Sequence, residues 1–83
     1  MIKKEWFVYI LACQDGSYYT GVTNNLDRRM KIHASGKGSK YVAQKRFKKL
    51  LCWKECTDKS EACKNEYAIK KLPRREKLSW FDK

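Results

Sequence analysis

The fold is decided by residues 6–33, WFVYILACQDGSYYTGVTNNLDRRMKIH. Trp6 to Leu11 is a short run of apolar and aromatic residues rich in types that favour strands, so it predicts a strand. Because it is apolar almost throughout, it predicts burial on both faces. Tyr18 to Thr23 predicts a second strand, and Asp15-Gly16 between them predicts an antiparallel hairpin. Asn24 or Asn25 then caps a helix, and Asp27 suits its first turn. That helix runs to about Ser35 and stops at Gly36. Leu26, Met30 and Ala34 form its apolar stripe. Arg29 and His33, four apart, stack one turn apart on an adjoining flank.

The length of the hairpin loop decides whether the tyrosines can meet. A two-residue loop at Asp15-Gly16 pairs Ala12 with Tyr19, which points Tyr9 and Tyr19 to opposite faces. A three-residue loop, Gln14 to Gly16, pairs Leu11 with Tyr19 and Tyr9 with Gly21. Tyr9, Leu11, Tyr19 and Gly21 then share one face. Gly21 is expected to leave open space beside Tyr9 where a ligand can approach.

Working outward, Gly36 to Gly38 reads as a loop, and Ser39 caps a short helix through about Arg46. Leu50 to Glu55 reads as the third strand. Asp58 caps the next helix, with Glu61 three residues on, and that helix continues to about Leu72. Pro73 separates it from a short C-terminal helix over Arg74 to Phe81. The order is β-β-α-(α)-β-α-α: an α/β (α+β) domain spanning residues 1–83, with a three-stranded antiparallel sheet flanked by helices.

Twenty Lys and Arg against nine Asp and Glu give a formal net charge of +11. The excess favours a polyanionic partner, because neutralised phosphates release counterions. From Arg28 to Lys54 there are ten basic residues and no acidic one. A one-signed block in an otherwise mixed chain reads as a binding face. Arg28, Lys37, Lys40, Lys45 and Arg46 are its candidate nucleic-acid contacts, and Tyr41, Phe47 and Trp53 are interspersed with it. Such aromatics can stack on bases, but Phe47 and Trp53 are expected in the core. Cys13, Cys52, Cys56 and Cys63 lack paired C-x-x-C spacing, which argues for free thiols in a reducing compartment. Lys3-Lys4 followed by Ile10-Leu11-Ala12-Cys13 imitates a lipoprotein signal. Glu5 interrupts it, and its loss would remove a core strand. No run is long enough to span a membrane, and the chain is expected in the cytoplasm.

Five further groups carry chemistry. Ala62, Cys63, Glu66 and Ile69 share one helix face. Glu66 is therefore either a boundary carboxylate paired with Lys70 or a ligand for a hard cation. His33, the single histidine, titrates in the range suited to proton transfer. Arg29, Tyr9 and Tyr19 are unremarkable one by one.

Taken in order, they resemble the GIY-YIG nucleases. Phe7-Val8-Tyr9 stands for the first triplet and Tyr19-Thr20-Gly21 for the second. The first departs at its opening two positions, and Thr20 replaces the usual isoleucine. Arg29 matches the family arginine, His33 falls where members carry tyrosine or histidine, and Glu66 falls where they place a metal-binding glutamate. The chain looks most like small standalone bacterial members. Val22 stands where the excinuclease incision subunits carry lysine. The resemblance implies a DNA endonuclease using one Mg2+ or Mn2+ ion held by Glu66, with Tyr9, Tyr19, Arg29, His33 and Glu66 as catalytic residues. It implies Gly21 as a place where nucleic acid comes close to the backbone. It also implies selectivity for nucleic-acid structure rather than sequence, or selectivity supplied by a protein partner.

Overall fold

The computed structural model describes residues 5–82; the Lys3-Lys4 pair of the signal-like segment lies outside them. The elements are β1 (Trp6–Cys13), β2 (Tyr18–Thr23), α1 (Leu26–Ala34), α2 (Lys40–Lys45), β3 (Phe47–Cys56), α3 (Lys59–Lys70) and α4 (Arg74–Lys77), then a 3-10 turn, Ser79–Asp82. The three strands form one antiparallel sheet in the order β2-β1-β3. The order and the sheet are those the sequence predicts.

β1 is central, which explains its unbroken apolar run. Val8 and Ile10 point to one face and pack with Cys56 and with Ala62 and Ile69 of α3. Tyr9, Leu11 and Cys13 point to the other, where Val42 of α2 and Leu26 and Met30 of α1 cover them. A strand with helices over both faces has no solvent side on which to place polar residues. The hairpin takes the three-residue loop. Leu11 pairs with Tyr19 and Tyr9 with Gly21, and Gly16 closes the turn at φ +86. Few residues other than glycine reach that left-handed region cheaply. Asp15 Oδ1 accepts from the Ser17 amide at 3.0 Å, which fixes the loop.

Several expectations are corrected. β3 begins at Phe47, not Leu50. Arg46, at φ 68, turns the chain from α2 straight into the strand, so no loop intervenes. Lys48 and Lys49 are exposed, as suits an outer strand, whose edge lysines discourage further pairing. Trp53 is not core but 53% exposed. It lies opposite Tyr9 on that outer strand, beyond the residues packed beneath α1 and α2. On α1, Ala34 is exposed and His33 is buried in its place. α3 ends at Lys70 rather than Leu72. The expected C-terminal helix is a four-residue helix followed by the 3-10 turn. Its Leu78, Trp80 and Phe81 seal the α3 side of the core. Phe47 does pack in the core.

Candidate active site

The hairpin register turns Tyr9 and Tyr19 toward α1, where His33 meets them. The Tyr9 hydroxyl lies 2.9 Å from His33 Nε2. Ring centroids are 6.4 Å apart for Tyr9 and Tyr19, 6.0 Å for Tyr9 and His33, and 5.6 Å for Tyr19 and His33. Phe47 stacks on His33 at 6.4 Å and 14°. Gly38, read from sequence only as part of a loop, proves to matter. A Cβ there would lie 2.7 Å from His33 Nδ1, so the bare backbone holds the far side of the imidazole. The repeated glycine in Gly36-Lys37-Gly38 was the available signal.

Gly21 differs from expectation. It is buried, and the space over its Cα is taken by Tyr9: a Cβ would lie 2.6 Å from the hydroxyl and 2.8 Å from Cζ of that residue. The glycine makes room for the phenol, not for a ligand. Gly21→Ala is therefore expected to destabilise the fold by about 1–3 kcal/mol through overpacking and to push the Tyr9 hydroxyl off His33. A urea midpoint equal to that of the natural chain would contradict this.

Burial pushes the Tyr9 phenol up to about 12; Arg29 pulls it part of the way back, and the charges of Tyr19 and Glu66 push it further up. Burial and then the charge of Arg29 hold the His33 imidazole down at about 4. Both groups are thus neutral at pH 7. In the tautomer that carries its proton on Nδ1, His33 accepts the Tyr9 hydroxyl proton at Nε2. That Nδ1 has no hydrogen-bond partner among the described residues.

A buried neutral histidine makes stability depend on pH. Between its unfolded value of 6.5 and about 4 in the fold, the unfolded chain holds a proton that the folded chain lacks. Stability is then fully present above pH 6.5 and is lost as pH falls toward 4. The full loss is on the order of 3 kcal/mol. His33→Gln should flatten this slope in urea melts between pH 7 and 4; parallel curves for the two proteins would contradict it.

The remaining residues are arranged along the outer edge of β2. α3 packs across β1 and β2. Lys59, at its start, lines a cleft with Arg29, Val22 and Thr23. Lys70, at its end, lines another with Tyr18, Tyr19 and Thr20. Glu66 lies between, half-buried, with Oε2 3.3 Å from Lys70 Nζ. Arg29 is half-buried, and its Nε has no partner among the described residues. The two helices, on opposite faces of the sheet, thus bring Arg29 and Glu66 to bear on one phenol.

The basic block does not form one patch around this edge. Arg28 borders a cleft with Arg29. Lys45 instead pairs with Asp15 at 3.3 Å, beside the hairpin turn, and the Arg46 carbonyl accepts from the Gln14 amide. Lys37 and Lys40 are exposed. All four cysteines are free thiols, with Cys13 and Cys56 buried. Among the described residues no three His, Cys, Asp or Glu side chains gather as a metal cluster, and no helix is long and apolar enough to cross a membrane.

This geometry can be set against known proteins. The family model for the GIY-YIG catalytic domain matches residues 5–79. The chain belongs to the GIY-YIG family. Among its relatives is UPF0213 protein OB0043 of Oceanobacillus iheyensis, 49% identical over 98% of this chain and 94% of that one. Another is UPF0213 protein BH0048 of Halalkalibacterium halodurans, 49% identical over 86% and 76%. Two solution structures have the same fold. EF2693 of E. faecalis superposes with a TM-score of 0.65, at 40% identity over 96% of this chain and 85% of that one. BH0048 superposes at 0.55, with 47% identity over 90% and 80%. Membership places this GIY-YIG chain in a nuclease family, implies nucleic-acid binding, and joins it to nucleases that are generally metal-dependent.

Proposed function

We propose that this GIY-YIG domain is a metal-dependent endonuclease that hydrolyses phosphodiester bonds in DNA, selecting nucleic-acid structure rather than sequence. The observation that carries the reading is the buried Tyr9–His33 hydrogen bond, with the charges of Arg29 and Glu66 acting on the same phenol.

Glu66 would hold the ion. It is half-buried, and its second carboxylate oxygen has no partner among the described residues. A single carboxylate suits a hard cation that keeps its waters and takes phosphate oxygens, as Mg2+ or Mn2+ does, rather than an ion needing an all-protein cage. When bound, such an ion stabilises charge on the leaving oxygen. Arg29 clamps the scissile phosphate; its planar fork suits phosphate oxygens and stays charged. Tyr9 positions the attacking water. It takes the water's proton as it passes its own to His33 Nε2, which is neutral and free to accept. Tyr19 packs against both rings and keeps them in register. Residues 1–83 act as one domain in the cytoplasm, with Arg28 and the other exposed cations of the basic block holding the DNA backbone.

A second reading, a nucleic-acid binder that does not cut, is favoured by one contact: Lys70 already neutralises Glu66. The deciding assay offers branched, flapped and single-stranded DNA with Mg2+ or Mn2+. Cleavage that EDTA abolishes is expected. Binding without cleavage across several metals would favour the binder.

A further inference from the structure

Tyr41 is 39% exposed, yet its ring is held in place. It stacks on Tyr19 at 6.0 Å and 27°, and Tyr19 in turn lies 6.4 Å from Tyr9. Ser39 caps the helix that carries it, accepting from the Tyr41 amide at 3.1 Å. Above the two rings is a shallow cavity of about 300 Å³ lined by Tyr18, Tyr19, Thr20, Tyr41, Lys70 and Lys77. No acidic residue lines it. Both ammonium groups are fixed in position: Lys70 by Glu66 at 3.3 Å, and Lys77 by the Ile69 and Lys70 carbonyls at 3.0 and 3.3 Å.

We infer that Tyr41 is a base-stacking platform for a nucleotide next to the scissile phosphate, with Lys70 and Lys77 facing that nucleotide's backbone. The inference rests on the nuclease reading of the neighbouring cleft. An aromatic face pre-oriented by a second ring and bordered by cations is the chemistry that holds an unpaired base, since every base presents a π-face. A chain of formal charge +11 gives the same site an affinity for a polyanion. A paired base has both faces covered by its neighbours, so the subsite selects for strands with an unstacked base. Tyr41 is thus a specificity residue and not a member of the proton relay.

The experiment measures binding with the full chain in EDTA, where no cleavage is needed. A protein that never cuts DNA would still report on Tyr41. The probes are a single-stranded oligonucleotide carrying 2-aminopurine and its matched duplex. The natural protein should quench the 2-aminopurine emission of the single strand by stacking. Tyr41→Leu, which keeps apolar bulk over Tyr19 but has no ring, should abolish the quench and weaken single-strand binding roughly ten-fold, while duplex affinity changes little. Tyr41→Phe and Tyr41→Trp should retain both. Tyr41→Ala is checked by its urea midpoint, and Tyr41→Leu carries the test if the alanine variant unfolds. Three results would overturn the inference: unchanged single-strand affinity in Tyr41→Leu, an equal loss for duplex and single strand, or no single-strand binding by the natural protein.

Discussion

Arg29→Ala is expected to lower single-turnover cleavage by about 10²–10³-fold, the usual cost of removing one pre-positioned donor from developing charge. The side chain acts on three things together. It lines the cleft beside β2 with Val22, Thr23 and Lys59. Its interaction with the Tyr9 phenol pulls that group's pKa down, against a larger upward push from burial. Its charge is the second cause, after burial, of the low value at His33. Removing it should therefore move the histidine titration up toward 6.5, which NMR of the single imidazole reads directly. Arg29→Lys keeps the charge but loses the fork, so it should restore the histidine titration more than the rate. Full cleavage in Arg29→Ala, with circular dichroism unchanged, would remove Arg29 from the mechanism.

The parts of this domain that were legible in the sequence are those where one residue type has one physical use. Trp6–Leu11 could only be a strand covered on both sides. Gly16 could only be the left-handed residue of a hairpin turn, but a two-residue and a three-residue loop both use it so, and the shared face of the two tyrosines came only with the observed register. Asn25 and Asp58 cap helices because few other side chains accept from the first free amides; both do so, at 3.0 and 2.8 Å. The less legible features depend on neighbours distant in sequence. Lys48 and Lys49 conceal a strand because an outer strand tolerates lysine where a central one does not. Trp53 looks like core until the sheet order puts it at an edge. The helical stripe favoured Ala34 for burial, but the buried position belongs to His33, whose partners come from β1, β2 and β3. For Gly21 the sequence indicated a missing side chain, and only the structure shows that the phenol of Tyr9 fills the gap.

Glu66→Gln is expected to reduce cleavage by 10³-fold or more, because an ion stabilising the leaving oxygen contributes several kcal/mol to the transition state, about 4 kcal/mol for 10³. The substitution keeps the shape of the side chain and removes its charge, so the fold should survive it. The structural alternative is a boundary glutamate whose purpose is its partner one turn on, Lys70, at 3.3 Å. An exposed pair of that kind contributes about 0.3–0.5 kcal/mol to stability, too little to account for a large loss of activity. The two readings separate on the partner. If Glu66 matters only through the pair, Lys70→Met and Glu66→Gln should cost the same. If Glu66 holds the ion, Lys70→Met should, at saturating DNA where a lost backbone contact no longer limits the rate, leave most of the cleavage intact and should lower the metal concentration at half-maximal rate, because the ammonium competes with the cation for one carboxylate. Glu66→Gln should raise that concentration or abolish the dependence. It should also ease the upward push on the Tyr9 phenol, to which Glu66 contributes, so a lost rate cannot come from a Tyr9 made harder to ionise. Equal losses in the two variants, or a fully active Glu66→Gln, would return Glu66 to the helix surface and leave the Tyr9–His33 pair without its ion.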